Sequence, residues 1–227
     1  SMKRGNGFKM IKNVVEGRFA NLKGSFKKNN KKPGKAEIEK FLKNSMEGKV
    51  SVGEQVSFLE NFTPEKVSLE DMLIFVNFMK KNMVASLKMP GCIDICVTGG
   101  SGLTRINTST IAAFILASLG VKVAKHGNKA ASGRFGSFDL LEILGIEIEK
   151  TPAELEKLYK KNSLAFIFAR NFHPVMKYFV EARKQIGKPT IFNLIGPLLN
   201  PADPERQIIG TSFKGQMRLM AEVCKQL

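Results

Sequence analysis

Tryptophan is absent from this chain of 227 residues, and it has only two tyrosines, two histidines and three cysteines. Each scarcity excludes something. Without tryptophan or a cluster of exposed aromatics there is no platform on which single-stranded bases could stack. Cys92, Cys96 and Cys224 are an odd number and form no disulfide framework, which fits a reducing compartment. With two histidines, the chain is also short of ligands for a zinc-type site. No apolar run reaches the ~18 residues needed to span a bilayer. The basic N-terminus lacks a secretory apolar core, so the expected location is the cytoplasm.

Acidic residues are the other shortage. Lys and Arg number 36 against 20 Asp and Glu, a net charge of +16, and the excess is unevenly spread. Residues 1–35 hold 11 Lys/Arg and one acid, Glu16. This stretch includes Lys27-Lys28-Asn29-Asn30-Lys31-Lys32-Pro33-Gly34-Lys35, has no hydrophobic period, and reads as an arm or linker. A solvated tail is the favoured reading; the alternative is a non-catalytic protein that binds nucleic acid through its basic surface. With 43% hydrophobic and 25% charged residues, the remainder has the composition of a globular protein.

From Ala36 to about Met83 the pattern is helical. "KAEIEKFLKNSMEG" sets Ile38, Phe41, Leu42 and Met46 on one face and stops at Gly48. A short helix is predicted over 54–61. Ser68 and Asp71 have capping-box spacing ahead of "MLIFVNFMKKNM". After Pro90-Gly91 strands and helices alternate. "CIDICV", "VKVA", "LAFIF", "TIFNLI" and "QIIGT" are the strand candidates. Between them are predicted a buried helix "TSTIAAFILASLG", a helix "FDLLEILG" capped by Ser137, one opening at Thr151-Pro152, one opening at His173-Pro174, and a last one near 214–226. The predicted class is α/β: a small helical domain over 36–86, then a larger, mainly parallel α/β domain over 90–227. Parts of 152–186 are expected to pack with the helices.

Three segments carry candidate chemistry. Thr98-Gly99-Gly100-Ser101-Gly102 follows a strand, and Asn107, Thr108, Ser109 and Thr110 open the next helix. Glycines let backbone N–H groups approach an anion, and a helix start adds its own free N–H groups. The segment is neither a Walker motif nor a complete dinucleotide fingerprint; phosphate binding and an ordinary capped turn weigh equally. "VAKHGNKAASGRFGSFD" again follows a strand, with Lys125 and His126 at its end, then Gly127, Asn128 and Ser132. The third segment offers His173 at a helix start and Arg183 about three turns on. A guanidinium can hold a carboxylate through two parallel bonds, although a surface salt bridge is its commoner use.

Together "TGG" and "NTST", "KHGNKAAS" with "GSFDLLEILG", and "FHPVMKYF…R…GKPTIFNLIGPLLNPA" resemble the anthranilate phosphoribosyltransferase family of tryptophan biosynthesis, from about Ala36 onward. The resemblance implies a helical domain beside an α/β domain of the nucleoside phosphorylase/phosphoribosyltransferase type, a homodimer joined through the helical domains, and a glycosyltransferase acting on phosphoribosyl pyrophosphate (PRPP) with Mg²⁺ and anthranilate. It implies that Thr98, Gly99, Gly100, Asn107, Ser109, Thr110, Lys125 and Ser132 hold PRPP, with Ser109 also facing Mg²⁺. His126, Asn128, His173 and Arg183 would lie along the anthranilate path, and Gly127 would line the cleft. The chain departs from the family pattern at Val97, Ser101 and Gly133, where glycine, aspartate and serine stand in the family. The family's adjacent Asp-Glu pair for Mg²⁺ falls beyond the position of Leu227, so weakened metal-diphosphate binding and impaired activity are expected.

Overall fold

A computed structural model describes residues 32–98, 107–129 and 136–227. The basic arm up to Lys31, the glycine cluster with Ser101, and Ser132 with Gly133 lie outside the described residues. Helices α1 (Lys35–Met46), α2 (Val52–Leu59) and α3 (Leu69–Lys81) come first. Gly48, with φ of +70°, follows α1 in the left-handed region that favours glycine. Both α2 and α3 open with capping boxes. Ser68 Oγ accepts the Asp71 N–H at 3.2 Å while the Asp71 carboxylate takes the Ser68 N–H at 2.7 Å; Ser51 and Glu54 do the same for α2.

The alternating part follows as β1 (Ile93–Val97), α4 (Thr108–Ser118), β2 (Val123–Gly127), α5 (Ser137–Ile143), α6 (Pro152–Asn162), β3 (Leu164–Phe168) and α7 (Ala169–Phe172). A 3₁₀ stretch, Pro174–Phe179, leads to α8 (Val180–Ile186), α9 (Ile191–Ile195) and a second 3₁₀ turn, Gly196–Leu199. Strand β4 (Arg206–Gly210) and α10 (Met217–Gln226) complete the order. The four strands form one parallel sheet in the order β3-β2-β1-β4. All strand ends that precede a loop and helix therefore point the same way, and side chains alternate between two faces. Register puts Asp94, Cys96, Ala124, His126, Ala165, Ile167 and Gln207 on one face, and Ile95, Val97, Lys125, Phe166, Phe168 and Ile208 on the other.

The largest core joins α1–α3 to residues well beyond the predicted 86/90 boundary. Phe58, Phe62, Phe75 and Met79 pack with Val175, Phe179, Phe192, Leu194 and Leu198, and with Met220 and Val223 of α10. Ring contacts run from Phe62 to Phe75 at 5.1 Å and from Phe75 to Phe192 at 5.7 Å. Of the 152–186 stretch, Val175, Phe179 and Ala182 join this core, whereas Leu155 and Tyr159 of α6 pack on the sheet with Ala124, Ala165 and Ile167.

Four local expectations are corrected. "TIFNLI" is helix, not strand. The Thr190 N–H donates to Asn193 Oδ1 at 3.0 Å, which turns the chain, and Ile191, Phe192, Leu194 and Ile195 are all buried in the helical core. The helix after His173 comes in two pieces, 3₁₀ and then α8. The helix cap at 136–137 is Gly136, whose N–H donates to Asp139 Oδ2 at 2.7 Å; the Ser137 hydroxyl goes instead to the Asn128 carbonyl. Helix α4 is not buried all round: Thr110 and Ala113 are buried, but Ile111, Ile115 and Leu119 are exposed. One flank packs on β1–β3, as where Phe114 meets Phe166 at 5.1 Å. The face over β4 is open, leaving Ile208 64% and Val97 61% exposed.

Phe75→Ala should cost about 3–5 kcal/mol of unfolding free energy, since its ring is fully buried between Phe62 and Phe192. Ser68→Ala should cost about 1 kcal/mol through the lost cap. Urea denaturation followed by circular dichroism reads both, and equal losses for the two would contradict this assignment of the core.

Candidate functional site at the carboxyl ends of the strands

In open parallel sheets, ligands sit outside the carboxyl ends of the strands, where loops and helix N-termini converge. Here β1 ends at Val97, with Thr98 next in the chain, and β2 ends at Gly127. The Thr98 N–H donates to the Gly210 carbonyl at 2.8 Å, and its hydroxyl accepts the Ser212 N–H at 3.1 Å and lies 3.4 Å from Thr211 Oγ1. Thr98 thus ties the exit of β1 to the exit of β4. Asn107 reaches the other way, its Nδ2 donating to the Gly136 carbonyl at 3.0 Å. Gly136 precedes Ser137, whose hydroxyl bonds the Asn128 carbonyl, so Asn107 and Asn128 are linked through one turn.

Helix α4 presents its N-terminus at this end. Asn107 makes no side-chain cap to it. Thr110, in its first turn, is fully buried, and its hydroxyl has no hydrogen-bond partner among the described residues. Ser109 is half-buried beside it. First-turn N–H groups, two hydroxyls and the positive end of the helix dipole suit an anion. Gly127 is held close to α5: a Cβ there would stand 2.6 Å from Ser137 Oγ and 3.1 Å from the Phe138 ring, so a side chain would force the β2 exit away from that helix.

Lys125 is 2% exposed, and its ammonium donates to the Ile95 carbonyl at 2.8 Å. Burial lowers its pKa, opposed by the Asp94 carboxylate. His126 and His173 come together although 47 positions apart, their rings edge to face at 5.3 Å and both buried. Burial lowers the pKa of both imidazoles, that of His173 to about 4; the Lys125 and His173 charges add to the effect on His126. His126 Nε2 and both ring nitrogens of His173 lack a hydrogen-bond partner by geometry, although the carbonyls of Gly196 and Leu199 lie close enough to favour protonation slightly. Two neutral imidazoles with spare nitrogens can bond a polar ligand.

Arg183 is held by a different contact. It lies on α8, its guanidinium 5.8 Å from the Phe192 ring centre, and no carboxylate pairs with it among the described residues. Burial lowers its pKa. The surface salt bridge is therefore not its use here. Cys92 and Cys96 are buried thiols with pKa pushed up to about 11 and out of the ordinary range respectively, unsuited to act as nucleophiles.

Sequence reading passed over Asp94, Asn200, Gln207, Thr211 and Ser212. Asp94 is fully buried in β1 and accepts the His126 N–H at 3.2 Å and Gln207 Nε2 at 3.0 Å. An acid inside the apolar run "CIDICV" was the available signal. Burial raises its pKa, against the opposing pull of Asn200, Lys125 and the two donors. Toward the Mg²⁺ expected at Ser109, the described residues offer no cluster of three or more Asp, Glu, His or Cys. They fit a diphosphate better than they fit the ion.

Residues 89–227 match the glycosyl transferase family, a/b domain. The chain is 41% identical over 192 residues to the anthranilate phosphoribosyltransferase of Pelagibacter ubique (strain HTCC1062), covering 85% of this chain and 58% of that protein. It is 40% identical to that of Bacillus caldotenax, covering 80% of this chain and 75% of that protein. The chain belongs to the anthranilate phosphoribosyltransferase family. The crystal structure of the Thermus thermophilus member superposes with a TM-score of 0.78 at 33% identity, over 86% of this chain and 60% of that one. A Saccharomyces cerevisiae member solved in complex with PRPP and Mg superposes at 0.72 with 26% identity, over 83% and 56% of the two chains. This chain spans little more than half the length of the first relatives it matches. Nothing among these family members supports the nucleic-acid reading, and no described helix is long and apolar enough to cross a membrane.

The histidine pair predicts a pH dependence. A base whose folded pKa is depressed binds its proton more readily when unfolded, so stability is full above about pH 6.5 and falls as pH drops toward the folded value. For His173 the loss between pH 6.5 and 4 amounts to roughly 3 kcal/mol. His173→Phe should flatten the pH 7-to-5 slope of urea-unfolding free energy; an unaltered slope would show that the imidazole is not buried as described.

Proposed function

We propose that this chain is the phosphoribosyl-binding part of an anthranilate phosphoribosyltransferase, transferring the phosphoribosyl group of PRPP to the amine of anthranilate with release of pyrophosphate. The observation that carries this reading is that Thr98, the α4 N-terminus with its unpartnered Thr110 hydroxyl, and the exit of β2 lie at the carboxyl end of one parallel sheet, with Lys125 and His126 among the last three residues of β2. Family membership supports the choice of substrates. PRPP would be held by Thr98, Gly99, Gly100, Asn107, Ser109, Thr110, Lys125 and Ser132, of which Gly99, Gly100 and Ser132 lie outside the described residues. Mg²⁺, when bound with the diphosphate and Ser109, would neutralise phosphate charge.

The chemistry asks for little acid or base catalysis. Breaking the bond from ribose C1 to pyrophosphate builds positive charge on the sugar and negative charge on the leaving group. N–H groups of the α4 first turn and the buried Lys125 ammonium would be the donors for that negative charge, held in place before the reaction. The amine of anthranilate is a neutral nucleophile at pH 7, so alignment counts for more than deprotonation. His126 and His173, held neutral, would bond the aromatic amine without repelling the developing ribosyl cation. Asn128 would line the same path. Arg183, lacking a carboxylate of its own, would take that of anthranilate. The reading also carries a cytoplasmic location and a homodimer joined through the helical layer.

Isothermal titration with PRPP and Mg²⁺ tests the core of the proposal: saturable binding is expected, and absence of heat at millimolar ligand would refute it. Thr110→Val should weaken PRPP binding about ten- to hundredfold, the scale of a hydrogen bond from a neutral donor to a charged group. Arg183→Lys should leave PRPP binding intact and raise the anthranilate concentration needed for half-saturation about tenfold or more. Equilibrium sedimentation at micromolar concentration checks the dimer; a single species of 25.1 kDa would remove it.

A further inference from the structure

Backbone pairing is uneven across the sheet. β1 pairs with β4 along all five residues of each strand, and β2 with β3 likewise, but β1 and β2 pair only at Ile93↔Val123. The Ile93 N–H donates to the Lys122 carbonyl at 2.9 Å, which sets the phase of the ladder. In a regular parallel ladder the next step would send the Ile95 N–H to the Ala124 carbonyl and the His126 N–H to the Ile95 carbonyl.

Side chains take those places instead. Asn200 Nδ2 donates to the Ala124 carbonyl at 2.9 Å, the Lys125 ammonium to the Ile95 carbonyl at 2.8 Å, and the His126 N–H to Asp94 Oδ1 at 3.2 Å. The substitutes are themselves anchored. Asp94 Oδ2 accepts from Gln207 Nε2 at 3.0 Å, the same nitrogen bonds the Pro197 carbonyl at 2.6 Å, and Asn200 Oδ1 accepts the Ala202 N–H at 2.9 Å. Asp94, Lys125 and Asn200 are all buried. Three of the four backbone groups of that ladder step are thus satisfied by side chains drawn from β1, β2 and the turn after Leu199.

We propose that Asp94 is a positioning residue. With Lys125 and Asn200 it wedges β1 away from β2 and so sets the gap between the exit of β1 at Thr98 and the exit of β2 at Gly127. This rests on the reading that the two strand exits share a phosphoribosyl ligand. A closed ladder would draw His126 onto Ile95 and release the Lys125 ammonium from the carbonyl that orients it. Asp94 touches no ligand in this scheme; it acts through His126 and Lys125. Its negative charge next to a phosphate site would be unfavourable alone, and the neighbouring ammonium offsets it.

The test uses the full chain and two variants. Asp94→Asn keeps an oxygen for the His126 N–H; Asp94→Leu does not. In the Leu variant the His126 amide resonance should shift strongly and its hydrogen exchange should slow as it pairs with Ile95. PRPP-Mg²⁺ affinity should fall about tenfold or more, the scale of an ångström-level misplacement. The Asn variant should stay within about threefold of the parent affinity, since the acceptor that holds the gap remains. If Asp94→Leu fails to fold, Asn200→Ala frees the Ala124 carbonyl for Ile95 and is read by the Ile95 amide in the same way. Unchanged amide exchange in the Leu or Ala variant overturns the wedge. A closed seam with unaltered PRPP affinity overturns the positioning role. If the parent chain itself binds no PRPP, the proposed function fails, and the wedge is decided by the amide signals alone.

Discussion

A backbone N–H or C=O buried between two strands must find a partner, and in a sheet that partner is ordinarily the next strand. Between β1 and β2 the obligation is met by a carboxylate, an ammonium and an amide. That exchange shapes the molecule. The outer pairs, β1 with β4 and β2 with β3, keep ladders along all five residues of each strand. The seam between them is polar and tied to the turn at 197–202 through Gln207 and Asn200. Buried polar networks are costly when half satisfied and rigid when complete. Here both Asp94 oxygens accept, Asn200 uses both ends of its amide, and Gln207 bridges strand and turn.

The helical layer serves that turn. Residues 191–199 are apolar on the side facing α3 and deliver Pro197 and Asn200 to the sheet on the other. The same segment brings the Gly196 carbonyl to His126 and the Leu199 carbonyl to His173. A fold that looks like two parts in sequence is therefore joined where its chemistry lies. Removing Phe192 or Phe75 from the core would be felt at the strand ends through this segment, without either residue approaching the cleft.

Much of this is legible in the residues. Ser68 and Asp71 announce their helix because capping is local chemistry, and "CIDICV" and "LAFIF" read as strands because β-branched and aromatic residues in short runs have few other uses. The same alternation of strand and helix puts Thr98 just past the end of β1, but the strand expected at "VKVA" runs on through Gly127, so Lys125 is its middle residue and His126 its last but one. "TIFNLI" misleads because a short apolar run has no period that separates strand from buried helix; the decision lies with the Thr190–Asn193 bond. Asp94, Asn200 and Gln207 escape sequence reading for a different reason. Their partners are 32, 76 and 113 positions away, and no local pattern reports on such distances. The pairing of His126 with His173 is likewise hidden, although each histidine stands out singly.

Along the outer side of β4, Ile208 and Val97 face water beside a strand edge that no other described strand covers, with Ile111 and Ile115 of α4 adding to the apolar surface. Unpaired N–H and C=O groups next to exposed branched side chains are the combination from which intermolecular sheets grow. Concentrated solutions of this chain should therefore be prone to clouding on warming. Ile208→Lys would interrupt that contact and keep the protein dispersed, at no cost to the interior.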